Sequence, residues 1–360
     1  MVTKKLTKKQ LPKLNTAKKK PFFSVVIPVY NVEKYIKECL DSLVNQGLKP
    51  EDYEIIIVND ATPDKSMDVV QKFIKLHPAL NVRLINHAKN KGLGPTRNTG
   101  IDAASGKYVV LVDPDDYLDS MSLKYIKQRA VETGADVIVT KVQGFPEPGV
   151  TRTFDAPNLH EKSYNHLDAD EFYLKLSKTS MEHDPTVTYI CSREFLNRNN
   201  FKFENTFDED FKWSTKVMLN SKRPNLYWGP YYHYRLRPSS LSADKSFDRA
   251  KNKLQLCVEA YELMPEYESR EDIIVQRCKS IYKKAVELMR GLSNENRNAM
   301  EEMIADSKIL REFKKIDEFS LLDYFDEFST SQRAKRFTHG KAFKRAGKYT
   351  NTELMIDKTS

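Results

Sequence analysis

Three carboxylates, Asp113, Asp115 and Asp116, follow directly on the apolar run Tyr108-Val-Val-Leu-Val112. Such a run predicts a buried strand, and like charges gathered at its end repel one another unless a cation offsets them. Carboxylate oxygens suit a hard divalent cation, and a diphosphate needs its charge neutralised by one. Asp115 is the first choice for direct coordination and Asp113 the second, reaching the metal or a ribose; Asp116 is placed as the cap of the next helix. Two earlier apolar runs also end in polar residues, one in Pro28-Val29-Tyr30-Asn31 and one in Asn59-Asp60. A rigid proline turn with an aromatic ring offers a stacking face for a base. Asp60 offers an acceptor to the imide or ribose hydroxyls of a uridine, or else serves as a turn or helix cap. The segment from Asn90 to Gly100 is a glycine-rich turn leading into a short helix, where the backbone can approach a ligand closely. In it Arg97 suits a phosphate or a buried carboxylate, and Asn98 can organise the turn.

These residues share a chemistry only if the chain brings them together. Residues 21–142 alternate short β-branched runs with amphipathic stretches, the pattern of strands and crossover helices in a parallel α/β sheet. In such a sheet ligands sit beyond the carboxyl ends of the strands, where the polar endings above fall. The expected strands are Ser24 to Pro28, Glu54 to Val58, Val82 to Ile85, Tyr108 to Val112 and Asp136 to Val142. The expected helices are Val32 to Gln46, ended by Gly47, and Met67 to Leu76. After Gly144, prolines 146, 148 and 157 mark a loop before a helix at Ala169 to Leu176. From Arg249 the pattern is helical, with one apolar face over Ile273 to Leu288 and an aromatic-rich stretch at Leu310 to Phe328. This divides the chain into a basic tail (1–20), a catalytic α/β unit (21–245, with halves 21–142 and 143–245), a helical region (246–330) and a second basic tail (331–360).

The 360 residues carry a net charge of +9, unevenly spread. Eight lysines without an acid put +8 in residues 1–20, and residues 331–360 add +6, which leaves −5 for the body. Basic tails on an acidic body suit an anionic lipid surface or an anionic polymer, or else simply solubilise the chain. Four cysteines without a CxxC pair are read as buried thiols in a reducing compartment. No apolar run is long enough to span a bilayer and no apolar stretch follows the basic N-terminus, so the expected location is the cytoplasm, including the inner face of its membrane. No GxGxxG follows the first strand and no GxxxxGK[ST] occurs, which removes dehydrogenase and nucleotide-triphosphatase readings. The glycine-rich arginine signature of a nucleotidyltransferase is also missing. From another class, a basic-tailed nucleic-acid-binding protein without enzymatic activity is the alternative, against which stand the acidic body and the lack of a recognition motif.

Taken together, Phe23 to Asn31, Ile57 to Asp60 with Asp64, Asn90 to Gly100 and Leu111 to Asp116 resemble the family 2 glycosyltransferases with the GT-A fold, over residues 22–242. The resemblance implies that Pro28, Tyr30 and Asp60 contact the nucleoside and that Asn90 and Arg97 line the donor site. It also implies that Asp113 and Asp115 serve ribose and metal, with Mn2+ or Mg2+ as cofactor. Where the family usually has Asp-Asp-Gly-Ser, this chain has Asn59-Asp60-Ala61-Thr62. Farther on, Phe207-Asp-Glu-Asp-Phe211 looks like the family's Glu-Asp pair. Asp210 is then the base that takes the acceptor proton in an inverting transfer from a UDP-sugar, with Glu209 beside the donor; helix-dipole charge is the other reading of these acids. Tyr231 to Ser242 resembles a strand and loop that closes over the donor diphosphate, with Arg235 and Ser240 as its contacts. Pro-Thr-Arg-Asn-Thr-Gly, the Glu-Asp helix and the basic, aromatic C-terminal helices are similar to the wall teichoic acid ribitol glycosyltransferases. That likeness implies a cell-surface acceptor such as an anionic polyol-phosphate or a capsule-like polysaccharide, and a homo-oligomer formed through the C-terminal helices. No nucleic acid is expected as partner.

Overall fold

The computed structural model describes residues 20–151, 156–179, 185–206, 208–237 and 245–315. Four strands come first in the sheet and in the chain: β1 (Phe23–Val29), β2 (Tyr53–Asn59), β3 (Asn81–Asn86) and β4 (Tyr108–Leu111). They are joined through α1 (Ile36–Ser42), α2 (Ser66–Leu76) and α3 (Leu93–Ala103). β1 and β4 are buried along their whole length, as β-branched runs covered on both faces must be. The one acid inside β2, Glu54, is buried too, and Ser24, Ser105 and Arg83 satisfy its oxygens. Gly100 is needed where α3 lies on β1, because a Cβ there would run into Val26. That close approach carries the other inward residues of α3 under the carboxyl ends of the strands.

The remaining strands are β5 (Tyr117–Leu118), β6 (Val137–Pro146), β7 (Tyr189–Ser192) and β8 (Pro224–Leu236). The sheet order is β3-β2-β1-β4-β7-β6-β8-β5. β7 runs against β4 and β6, and β5 runs against β8, while the others share one direction, so the sheet is mostly parallel as expected. Around it lie α4 (Ser122–Thr133), α5 (Ala169–Ser177), α6 (Arg193–Asn199) and α7 (Glu209–Asn220). A helical region follows with α8 (Phe247–Glu262), α9 (Glu271–Met289) and α10 (Asn294–Asp306). Leu254 and Cys257 of α8 and Ile274, Cys278 and Ile281 of α9 are buried together in it. No helix among the described residues is long and apolar enough to cross a membrane.

Two expectations change. The helix expected over Val32 to Gln46 shrinks to α1, because the Val32 and Glu33 N–H groups are held by Ser66 and Asp64, which fixes a turn before it. Asp116 caps nothing: α4 starts only at Ser122, and Asp116 turns inward to β8. The stretch Leu310 to Phe328 is described to residue 315, and its remainder lies outside the described residues, as do both basic tails but for Lys20. The four cysteines are free and buried, as read from the sequence.

Candidate active site

α3 is preceded by Gly92, whose φ of 91° favours glycine, and a Cβ there would collide with Asn205. One turn on, Arg97 is 1% exposed. Its Nη2 donates to Asp113 Oδ1 at 2.8 Å, and its Nη1 donates to Glu209 Oε1 at 2.8 Å and to Asp210 Oδ1 at 2.7 Å. One guanidinium thus fastens the end of β4 to the first turn of α7, and of the two partners left open by the sequence the carboxylates are the ones it takes. Burial alone would depress the Arg97 pKa, but Asp113, Asp210 and Glu209 raise it well above the ordinary value. Burial and the neighbouring Asp210 carboxylate push Glu209 up to about 8, against the pull of Arg97.

Asp210 also accepts from Thr186 Oγ1 at 3.0 Å, both bonds falling on Oδ1. Its Oδ2 accepts no hydrogen bond among the described residues, and the side chain is 28% exposed. An anchored carboxylate with one open oxygen is the geometry of a general base. Asp208, the residue before α7, has φ 53° and is gripped by Arg249 at 3.0 Å and Lys253 at 2.8 Å, both from α8. Burial would raise the Asp208 carboxyl, but Lys253 and Arg249 hold it below the usual range.

At the neighbouring strand ends, Pro28 is buried and Tyr30 is exposed. Asp60 is buried between them and the glycine-rich turn: it accepts from the Lys91 and Gly92 N–H groups at 2.9 Å and meets His87 Nδ1 at 2.6 Å. These bonds hold its carboxyl below the usual range although burial pushes it up. Asn90, exposed, precedes Lys91 in that turn. His87 Nε2 continues to Thr99 Oγ1 at 2.9 Å, tying the turn back to α3. Ala61 occupies the left-handed region at φ 53°, which costs a non-glycine residue about 1–2 kcal/mol. Thr62 holds this turn by donating its N–H to Asn59 Oδ1 and accepting from the Asn31 N–H.

Asp115 pairs with Arg237 at 2.7 Å, and burial together with Asp113 raises its pKa even so. Asp116 accepts from the Tyr232 hydroxyl at 2.8 Å and the Arg235 N–H at 2.7 Å, and burial, Asp115 and Asp113 push it well above the carboxylate range. Arg235, expected at a phosphate, donates Nε to the Asp115 carbonyl, pairs with Glu38 and lies over the rings of Tyr35 and Phe145. Ser240 lies outside the described residues. Among the described residues no three acidic, His or Cys side chains converge as a ready metal cage. Two carboxylates suffice where a diphosphate brings further oxygens. Asp113 Oδ2 and Asp115 Oδ1 accept no side-chain hydrogen bond among the described residues, so these two carboxylates fit a divalent cation.

Sequence reasoning passed over His87, Thr186, Tyr232 and Arg237. His87 carried a signal, since it stands one residue beyond β3 just as Asp60 stands one beyond β2. Arg237 lies two residues from Arg235 and so leaves β8 on the same side. Thr186 carried none.

The sequence profile of glycosyl transferase family 2 matches residues 24–199. Glycosyltransferase EpsJ of Bacillus subtilis is 32% identical over 224 residues, 62% of this chain and 63% of that one. The poly(ribitol-phosphate) beta-glucosyltransferase of Bacillus spizizenii is 42% identical over 131 residues, 36% of this chain and 20% of that one. This chain therefore spans less than two thirds of the length of these relatives. Among solved structures, residues 1–349 of Staphylococcus aureus TarS in complex with UDP-GlcNAc superpose with a TM-score of 0.63 at 25% identity, covering 78% of this chain and 80% of that one. The α/β sheet followed by helices is accordingly of the GT-A type expected from the sequence.

Proposed function

Because residues 24–199 form a domain of glycosyl transferase family 2, we propose that the chain transfers a sugar, with inversion, from a UDP-sugar to a hydroxyl of an anionic polyol-phosphate or related cell-surface polymer. The observation that carries this reading is the Arg97 cross-link, which sets Asp210 beside the acids at the end of β4 and leaves its Oδ2 open. The names of similar proteins support the substrates: a poly(ribitol-phosphate) beta-glucosyltransferase and the poly(ribitol-phosphate) beta-N-acetylglucosaminyltransferase TarS, 30% identical over 213 residues, the latter solved with UDP-GlcNAc. Glucose, N-acetylglucosamine and galactose are the candidate donor sugars.

In this reading Asp210 Oδ2 takes the proton of the acceptor hydroxyl as that oxygen attacks the anomeric carbon, opposite the departing diphosphate. Arg97 and Thr186 hold the carboxylate in place. Pro28, Tyr30 and Asp60 receive the nucleoside, Asn90 lines the donor site, and Arg235 and Ser240 are assigned to the diphosphate. Mn2+ or Mg2+ bound by Asp113 and Asp115 would neutralise the charge that grows on UDP as it leaves. Residues 21–245 are the proposed catalytic unit, 246–330 the appended region through which copies associate, and the tails (1–20 and 331–360) touch an anionic membrane surface or polymer.

The test is UDP release from UDP-GlcNAc, UDP-glucose and UDP-galactose, with and without Mn2+. Asp210→Asn should lower transfer by roughly 10²–10⁴-fold, the usual span for a lost general base, with donor affinity kept. Full turnover by that variant would remove Asp210 from the mechanism, and metal-independent turnover by Asp115→Ala would remove the cation.

A further inference from the structure

The sheet has a second end, and its charge is opposite. Where β1, β2 and β4 begin, an open cleft of about 360 Å³ is lined by Lys20, Lys107, Lys127 and Arg193 around Phe22. Two acids share the lining, Asp52 and Glu194. Asp52 is engaged by Lys127 at 2.9 Å. The other three cations have no carboxylate partner among the described residues. Lys107 rests its ammonium 5.7 Å from the centre of the Phe22 ring and 5.8 Å from that of Tyr108. Arg193 is fixed by Nε donating to the Gly106 carbonyl at 2.8 Å and by its own N–H donating to the Lys107 carbonyl at 2.8 Å. Its two terminal amino groups meet no acceptor among the described residues.

A body with five more acidic than basic side chains thus presents, in one concave place, cations that have no carboxylate partner among the described residues. Lysine and arginine side chains so held are donors for phosphate oxygens. The eight-lysine run of residues 1–20 ends at Lys20, on the cleft's rim. The cleft also has a fixed relation to the acids. From Tyr108 to Asp113 the chain takes five steps along β4 and beyond it, roughly 17 Å at strand rise. One sugar cannot touch both ends, whereas a polymer of several phosphodiester units can pass from one to the other around the domain.

We propose that this cleft is a second, non-catalytic site that holds the phosphodiester backbone of the acceptor polymer while another stretch of the same polymer lies at Asp210. This rests on the reading of the acceptor as an anionic polyol-phosphate chain. Two contacts on one polymer raise its effective concentration at the active site, so the gain falls on long acceptors and not on short ones. The cations line a cleft, whereas a flat lipid surface would need them on a convex face.

The experiment uses the full chain and two variants, Lys107→Gln and Lys107→Gln with Arg193→Gln, with poly(ribitol phosphate) of about twelve units and a one-unit ribitol phosphate as acceptors. For the double variant the KM for the long acceptor should rise about tenfold at unchanged kcat, and the KM for the one-unit acceptor should stay the same; the single variant, which leaves the Arg193 bond to Gly106 in place, should show a smaller rise in the same pattern. A rise shared by the short acceptor, or no rise, overturns the proposal. So does a double variant that loses sedimentation with phosphatidylglycerol vesicles while keeping its long-acceptor KM, which would make the cleft a lipid contact. In a binding assay with fluorescently labelled poly(ribitol phosphate), displacement of the polymer by inorganic phosphate at equal phosphate concentration would reduce the cleft to a simple anion site and overturn the proposal as well. Failure of the acceptor reading itself looks different: the wild type would then transfer to neither ribitol-phosphate acceptor, though still releasing UDP.

Discussion

Two buried arginines hold α7, Arg97 from α3 and Arg277 from α9, and they do it with different partners. Arg97, from α3, meets three carboxylates, of Asp113, Glu209 and Asp210. Arg277, from α9, donates to neutral oxygens, the Thr215 hydroxyl at 3.1 Å, the Ser214 hydroxyl at 2.7 Å and the Phe211 carbonyl at 3.1 Å, and lies 4.5 Å over the Phe211 ring. The consequence shows in their protonation. The acids lift Arg97 above its ordinary range, while burial pushes Arg277 down to about 9. Two cations of the same kind, both buried against one helix, therefore have different work. Arg97 compensates a cluster of negative charge that the proposed chemistry needs. Arg277 pins the shape of a helix whose sequence gives it hydroxyls to bind.

The contrast breaks most visibly at Arg97. Replacing it by Met leaves three carboxylates facing one another with no cation, and an uncompensated buried charge costs about 3–5 kcal/mol. Thermal unfolding should show a loss of that order, and UDP-sugar turnover should fall at least a hundredfold. Arg97→Lys should recover part of the stability and little of the turnover, since an ammonium is a point donor and cannot span three acceptors in a fork. A Met variant of wild-type stability would mean that the acids are compensated by something other than Arg97.

A second difference is pH sensitivity, which belongs to the Arg97 side. Glu209 is raised to about 8 in the folded chain, so the folded state keeps a proton that the unfolded chain gives up in the ordinary carboxylate range. The associated stability is present below that range and is lost as pH rises through about 8. Between pH 6 and pH 8 the wild type should lose roughly 2 kcal/mol from this group, near one proton's worth of linkage slope. Glu209→Gln should flatten that part of the curve and remove any step near pH 8 from the turnover profile. An unchanged slope in the variant would show that Glu209 is not the titrating group.

How much of this the sequence revealed depends on distance along the chain. β1, β2 and β4 were legible because each is a short apolar run buried along nearly its whole length, and β3, at the sheet edge, through Val82, Leu84 and Ile85; the acids at the strand ends followed from the rule that ligands gather there. β5, only Tyr117–Leu118, and β7, Tyr189–Ser192, carry too few residues for a period to be read. Their existence depends on partners elsewhere in the sheet. Arg97 and Asp210 were both singled out, yet their bond spans 113 positions, and nothing local says that they meet. The same holds for Arg237, which reaches Asp115 from 122 positions away. Asp116 was misplaced because a helix cap is the usual use of Asp before a helix, whereas here Tyr232 and the Arg235 N–H make an inward position better satisfied.

The smallest effect is expected at Arg277, and it sharpens the comparison because so large a buried group would ordinarily be thought indispensable. Its hydroxyl acceptors do not depend on it. Ser214 Oγ donates to the Phe211 carbonyl at 3.2 Å and Thr215 Oγ1 donates to the same carbonyl at 2.6 Å, so removing the guanidinium leaves both hydroxyls bonded. The charge itself is costly to hold, since burial disfavours it. Arg277→Met fills much of the same volume without that cost. Its net effect on stability should lie within about 1.5 kcal/mol, the range of volume-conserving core exchanges, and turnover should stay within a few-fold of wild type because the Arg97 cross-link still sets Asp210. A loss of turnover at Arg277→Met as deep as that at Arg97→Met, with stability retained, would show that α9 positions the base as firmly as α3 does, and the division of work between the two arginines would fail.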